Sequence, residues 1–329
     1  MNYRILGKTG WKISEVSLGT WQVGGGWGSP VFNDALADRI IHAAIDNGIN
    51  FIDTADVYSS GLSEKAVARV VKTRSEKVYV ATKCGRRLKP QHTAEGYNRA
   101  NITGFVEDSL KNMGLDTLDL IQLHCPPSAV YDSAEVFGIL DDLKQQGKIR
   151  QYGVSVEKVS EALKALQYPG VATVQIIFNM MRLKPAEDFF SEAQKANVGI
   201  LARVPLASGL LTGKINQATT FSPHDHRFFN REGEAFDKGE TFSGVNLDLA
   251  FQALKEYKRL FGELMLAEYA LRWILMFEAV SCVIPGASSV EQVLSNVKTS
   301  QYPALPKTAM KEVEAVYNQF LRPTIHSQW

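Results

Sequence analysis

The chain has 329 residues, 45% of them apolar and 22% charged, which leaves room for one large barrel or two ordinary domains around a proper core. Lys and Arg number 36 against 35 Asp and Glu; a formal charge of +1 excludes a broad electrostatic footprint for nucleic acid. No run approaches the roughly 18 apolar residues needed to span a membrane, and the polar, turn-rich start MNYRILGKTGWKIS does not read as a signal peptide. Three cysteines cannot close a disulfide framework and lack the spacing of a zinc site, so a reducing cytoplasm is expected and no metal is.

Residues 4–14, with GKTG at their centre, predict a β-hairpin. A phosphate loop would need a glycine five residues before Gly7, and Asn2 stands there. Short, nearly continuous apolar runs then recur at 16–20, 49–53, 78–82, 118–123, 151–155, 171–176, 198–203 and 280–284, as expected of parallel strands buried on both faces. Helical patterns separate them. Asn33 or Asp34 caps the first, which carries Leu36, Ile40, Ala44 and Ile45 and has Gly48 just past its end. Ser63 opens the second, with Ala66, Val67 and Val70. Phe105, Leu110 and Met113 line the third, which stops at Gly114; Leu140 and Leu143 line the fourth, which stops at Gly147. Val159, Leu163 and Leu166 mark the fifth, and Phe189, Phe190 and Ala193 the sixth. A polar insertion, roughly 215–247, precedes two helices near 248–260 and 264–277 and the eighth strand; a further helix near 307–320 follows.

Eight strands alternating with helices give an α/β fold, a (β/α)8 TIM barrel formed as a single domain over 1–329, with an N-terminal hairpin, extra C-terminal helices and a long loop before strand eight. A doubly wound open sheet is the rival, but WQVGGGWGSP after the first strand lacks the G-x-G-x-x-G that leads into a helix.

Barrel enzymes keep their chemistry at the C-terminal ends of the strands. There the second strand brings Asp53, with Tyr58 shortly after; the third brings Lys83 and the fourth His124. Each has a bland reading alone, as a turn cap, a solvated cation or a packed ring. Together they make sense: a buried Lys and Asp need partners, a Lys cation beside a phenol lowers its pKa, and a neighbouring His can donate a hydrogen bond to a carbonyl oxygen. Cys84 and Cys125 follow Lys83 and His124, so strand alternation predicts that both point away from the lumen. His224 and His226 are expected on the surface of the insertion.

These segments, FIDTADVYSSGLSE, VYVATK, LDLIQLHCP, QYGVS, PLASGLLTGK and IPGASSVEQVLSN, resemble those of the aldo-keto reductases over nearly the whole chain. The resemblance implies a (β/α)8 barrel that reduces aldehydes and ketones to alcohols. Its tetrad falls on Asp53, Tyr58, Lys83 and His124, with Tyr58 as proton donor. It implies NADP(H) in preference to NAD(H), bound without a Rossmann domain. Ser155 and Gln175 would hold the carboxamide, and Thr20, Trp21 and Asp53 count among the cofactor contacts. Pro205, Leu206, Ser208, Leu210 and Lys214 would wrap the pyrophosphate. Gly286, Ser288, Ser289, Gln292 and Asn296 would receive the 2′-phosphate and adenosine, although Ser288 and Ser289 also read as ordinary helix caps. Three positions depart from the family. Arg203 stands where a tyrosine stacks on the nicotinamide, which is expected to weaken binding of the oxidised form. Val156 replaces an asparagine, and no basic residue accompanies Ser288 and Ser289.

Trp21, Trp27, Val57, Tyr58 and His124 are expected to wall a fairly apolar mouth for a small carbonyl substrate. Trp329 and His326 are expected either to reach the rim from the tail or to dock with it on the barrel surface. No nucleic acid or membrane partner is expected, and the chain should be a monomer or weak homo-oligomer. Two rivals remain: a redox-sensing regulatory barrel like the family's channel-associated subunits, and an aldolase using Lys83 as a Schiff base.

Overall fold

The computed structural model describes residues 1–25, 31–88 and 92–329. Strands β1 (Tyr3–Ile5) and β2 (Lys12–Ser14) pair antiparallel as the predicted hairpin, Tyr3 opposite Ser14. Gly7, at φ +47°, turns this hairpin against the start of a barrel strand; a Cβ there would collide with the backbone of Asn197 and Gly199.

Eight parallel strands follow: β3 (Leu18–Gly19), β4 (Phe51–Asp53), β5 (Tyr79–Cys84), β6 (Leu118–His124), β7 (Ile149–Ser155), β8 (Val171–Ile177), β9 (Gly199–Arg203) and β10 (Val280–Val283). They lie side by side in chain order. Parallel bridges from Val16 to Val283 and from Gly19 to Gly286 join the first strand to the last and close the barrel. Each strand falls on one of the eight apolar runs. β3 is the shortest because its remaining contacts with β10 are single bridges rather than a continuous ladder.

The helices around the sheet are α1 (Asp34–Asp46), α2 (Leu62–Val71), α3 (Arg99–Met113), α4 (Ala134–Gln145), α5 (Val159–Ala165), α6 (Lys184–Asp188) and α7 (Phe190–Lys195). Asn33 is the cap of α1, accepting from Leu36 N at 2.9 Å. Ser63 does not cap α2; its hydroxyl is buried between Thr20 and Thr54. The predicted sixth helix is two pieces, broken at Phe189. The insertion contains α8 (His226–Phe229); α9 (Leu247–Phe261) and α10 (Leu266–Leu275) follow it, and α11 (Val290–Lys298), α12 (Lys307–Phe320) and α13 (Arg322–Ile325) complete the chain.

Apolar side chains divide into two cores. A large one, including Ile40, Val67, Val106, Leu140 and Trp273, packs the helices against the outside of the sheet. A small one fills the barrel's lower interior: Leu6 and Ile13 from the hairpin meet Phe51, Ala81, Leu120, Leu201, Cys282 and Ile284. With that end plugged, the open end lies where the strands finish.

Candidate active site

The ends of β4 to β9 carry Asp53, Lys83, His124, Ser155, Gln175 and Arg203, and register sets several of them side by side. His124 is opposite Ser155, and Ser155 opposite Gln175. Lys83 is 1% exposed, and its Nζ donates to Asp53 Oδ2 at 2.6 Å, Thr54 O at 2.8 Å and the Tyr58 hydroxyl at 3.3 Å. Three acceptors meet the three N–H bonds of a buried ammonium. Asp53 Oδ1 accepts from the amides of Gln175 at 2.8 Å and Gln122 at 3.4 Å.

Tyr58 opens a tight turn in which Ser59, Ser60 and Gly61 all have positive φ, and Lys83 Nζ lies 4.9 Å from its ring centre. Two serines in the left-handed region store strain that the surrounding packing must hold. The His124 ring meets Tyr58 edge-on, with centroids 6.0 Å apart.

The expected lowering of the Tyr58 pKa is corrected by the structure. Burial raises it, and the Lys83 cation only partly offsets that, so the phenol keeps its proton. Burial pulls the Lys83 ammonium down, but Asp53 and then Tyr58 outweigh it and the net direction is up. His124 is held well below the usual histidine range by burial, with Arg86, Lys83 and Arg203 adding to it, so its imidazole is neutral.

A cavity of about 430 Å³ opens over Tyr58 and His124. Trp21, Val57 and Phe236 form its apolar wall, whereas Arg86, Glu157, Asp237 and Glu240 give it a charged one. The expected apolar mouth is therefore only half right. Trp27 lies outside the described residues. His226 is a second correction: it is 7% exposed and stacked on Trp21 with centroids 4.6 Å apart, because the insertion folds back over the mouth. Cys125 is a third. Its φ of +50° breaks strand alternation, so it lines the cavity, 3.4 Å from Ser155 Oγ, while Cys84 stays in the outer core as predicted.

The remaining predicted residues are scattered in their commitments. Thr20 Oγ1 donates to Asp53 O. Ser155 is buried at the mouth, and the donor of Gln175 is given to Asp53, leaving its carbonyl oxygen to accept from an amide. Ser208 Oγ bridges Glu240 O and Phe242 N, binding the insertion. Leu210 is buried in the outer core beside half-buried Leu206 and buried Pro205, and Lys214 is exposed. Ser289 caps α11, and Gln292 Oε1 accepts from Ser288 N and Oγ. Asn296 donates to Gly286 O at 3.3 Å. His326 hydrogen-bonds Tyr317 and Arg322, away from the mouth; Trp329 does not line the cavity but donates to Asp237, which does.

Sequence reasoning overlooked Arg86, Glu157, Glu240 and Phe236. Arg86 and Glu157 sit two or three residues past Lys83 and Ser155, a signal that strand ends could have given; Glu240 and Phe236 arrive from the insertion, whose path no local pattern encodes. Among the described residues, Cys125, Glu157 and Glu240 are the close set of metal-ligating types, but the two carboxyl groups are already engaged by Arg86 and Arg203.

The sequence model of the Aldo/keto reductase family matches residues 15–318. The chain belongs to the aldo/keto reductase family, oxidoreductases acting on carbonyl groups. This aldo/keto reductase is 31% identical to the aldo-keto reductase YhdN of Bacillus subtilis (strain 168), over 89% of this chain and 87% of that one. It is 28% identical to the NADH-specific methylglyoxal reductase of Escherichia coli (strain K12), over 89% and 91%. Among solved structures it resembles the glycerol dehydrogenase AKR11B4 from Gluconobacter oxydans, with a TM-score of 0.80, 31% identity and coverage of 100% and 98%. Aldo/keto reductases bind nicotinamide cofactors, and this chain has groups that fit one. His124, which lines the cavity, has Nδ1 buried without a hydrogen-bond partner among the described residues, and so does Arg203 Nε at the end of β9, as in a site that meets a ligand's polar atoms.

Proposed function

We propose that the protein reduces small aldehydes and ketones to alcohols in the cytoplasm, with Tyr58 as general acid and NADPH preferred over NADH. The observation that carries this reading is the buried Lys83 ammonium held between Asp53 and the Tyr58 hydroxyl. Reduced nicotinamide, when bound, supplies the hydride. Ser155 and the Gln175 carbonyl would hold its amide, Arg203 its ring face, and Lys214, Ser288, Ser289 and Asn296 the rest. The chain supplies the proton. Tyr58 enters the reaction protonated, and as its proton moves to the substrate oxygen, Lys83 stabilises the phenolate that forms. Asp53 keeps Lys83 charged and in place. Neutral His124 donates a hydrogen bond to the same oxygen. The charged wall of Arg86, Glu157 and Glu240 favours short, polar carbonyl compounds over bulky apolar ones.

Lys83, an ammonium with three acceptors, is a poor nucleophile, which weighs against Schiff-base chemistry. The test is NADPH and NADH oxidation with a carbonyl panel in wild type and Tyr58→Phe. The variant should lose about 10²- to 10⁴-fold in kcat while both cofactors bind as before. Tight binding with no turnover on any carbonyl would turn the reading to a redox-sensing barrel.

A further inference from the structure

Arg203 is surrounded by acidic groups. Its Nη2 lies 2.8 Å from Glu157 Oε2 and also donates to Val156 O at 2.9 Å, and its Nη1 is 3.6 Å from Glu240 Oε2. Arg86 pairs with Glu240 and, at 3.4 Å, with Glu157. Both carboxylates are nine-tenths buried. The two Glu come from unrelated places, one just past β7 and the other from the insertion, and they meet only because the insertion covers the mouth.

From this geometry we infer that Glu157 and Glu240, as positioning residues acting through Arg203, decide which redox form of the nicotinamide the protein holds. The inference rests on the proposed nicotinamide site, with Arg203 against the ring. Oxidised nicotinamide carries a positive charge on its ring and the reduced form does not. A guanidinium alone would repel the oxidised form; two guanidiniums, Arg203 and Arg86, balanced by two carboxylates would not. Proton occupancy of this acidic pair therefore biases the site toward one form.

The groups facing Glu157 are Arg86 after β5, Cys125 just past β6, Arg182 after β8, Arg203, and Glu240 from the insertion, with His124 and Asp237 lining the same cavity. Glu161 of α5 accepts from the Glu157 backbone N. Arg182 donates to the Glu157 carbonyl at 2.6 Å. Burial pushes the Glu157 carboxyl up, Arg203 pulls it back and Glu240 pushes it up again, to about 8. Burial raises Glu240 too, but Arg86 and Arg203 outweigh it, and it stays ionised. Below pH 8 Glu157 is neutral, the cluster is one charge more positive, and the reduced form is favoured. Above it the carboxylate forms and the oxidised form gains.

The test is the dissociation constant of each form, NADP⁺ and NADPH and likewise NAD⁺ and NADH, measured by calorimetry and fluorescence from pH 7 to 9.5. That range lies above the titration of the 2′-phosphate. In wild type the ratio of oxidised to reduced dissociation constants should fall on the order of tenfold as pH rises. Glu157→Gln should make the ratio flat. Glu240→Gln should move the transition to lower pH, since the charge that kept the proton on Glu157 is gone. A flat ratio in wild type overturns the inference whether or not the variants fold. So does a pH dependence that survives unchanged in folded Glu157→Gln. If neither form binds wild type, the proposed function falls with it.

Discussion

Lys83 is a cation with no water to solvate it, and its three acceptors replace that water. Removing it leaves the Asp53 carboxylate with only the Gln175 and Gln122 amides. Lys83→Met should therefore cost about 3 kcal/mol in urea unfolding, besides abolishing turnover. Asp56 behaves oppositely. Burial raises its pKa to about 6, against the pull of Arg87, whose Nε donates to it at 2.7 Å. The unfolded chain loses this proton near 3.8 and the folded one near 6, so the stability contributed by the protonated form is complete below the first pH and lost above the second. The advantage of Asp56→Asn over wild type in unfolding free energy should grow by about 2 kcal/mol between pH 4 and pH 7. That Asp53, Tyr58, Lys83 and His124 come together could be read from the sequence because strand ends in a barrel converge on one rim. The direction of the Tyr58 shift could not, because burial is a property of the folded neighbourhood. Nor could the aim of Cys125, which hangs on a single positive φ.

The insertion is an element held by polar fasteners more than by regular structure. Asn230, fully buried, accepts from Ala235 N and Phe236 N and donates to Thr241. Asp237 accepts from Gly239 N and from the Trp329 indole at 2.9 Å, and the Arg182 guanidinium lies 4.3 Å from the Trp329 ring centre. Gly244, at φ +73°, leaves space for that ring; a Cβ would strike it. Trp329 thus fastens the loop that carries Phe236 and Glu240 to the cavity. Trp329→Ala should leave global unfolding nearly unchanged but speed protease cleavage within the insertion, 215–247, about tenfold and raise KM more than it lowers kcat. That coupling is not legible in the sequence, because the partners of Trp329 lie far away in it and in segments without periodicity.

At the scale of the whole molecule the barrel is plugged below and open above. Leu6 has no exposed surface and sits under the sheet with Phe51 and Leu201. Leu6→Ala should cost about 3 kcal/mol by urea unfolding, the price of a cavity that the rigid strand ends cannot fill. The eight strands were legible because burial on both faces writes continuous apolar runs. The break at Phe189 was not, since both halves of that helix keep apolar residues at helical spacing. The seam at Val16 and Val283 has a consequence for synthesis. Asn2 donates to Ser300 O, and Arg4 donates to Leu275 O, Phe277 O and Val280 O, so residues of the hairpin find their partners only some 270 to 300 positions later. Until about residue 285 has left the ribosome, β9 and the two-residue β3 are unpaired edges on an open, curling sheet. Nascent chains arrested before that point should remain bound by chaperones and open to protease, and release should come abruptly once the eighth barrel strand emerges.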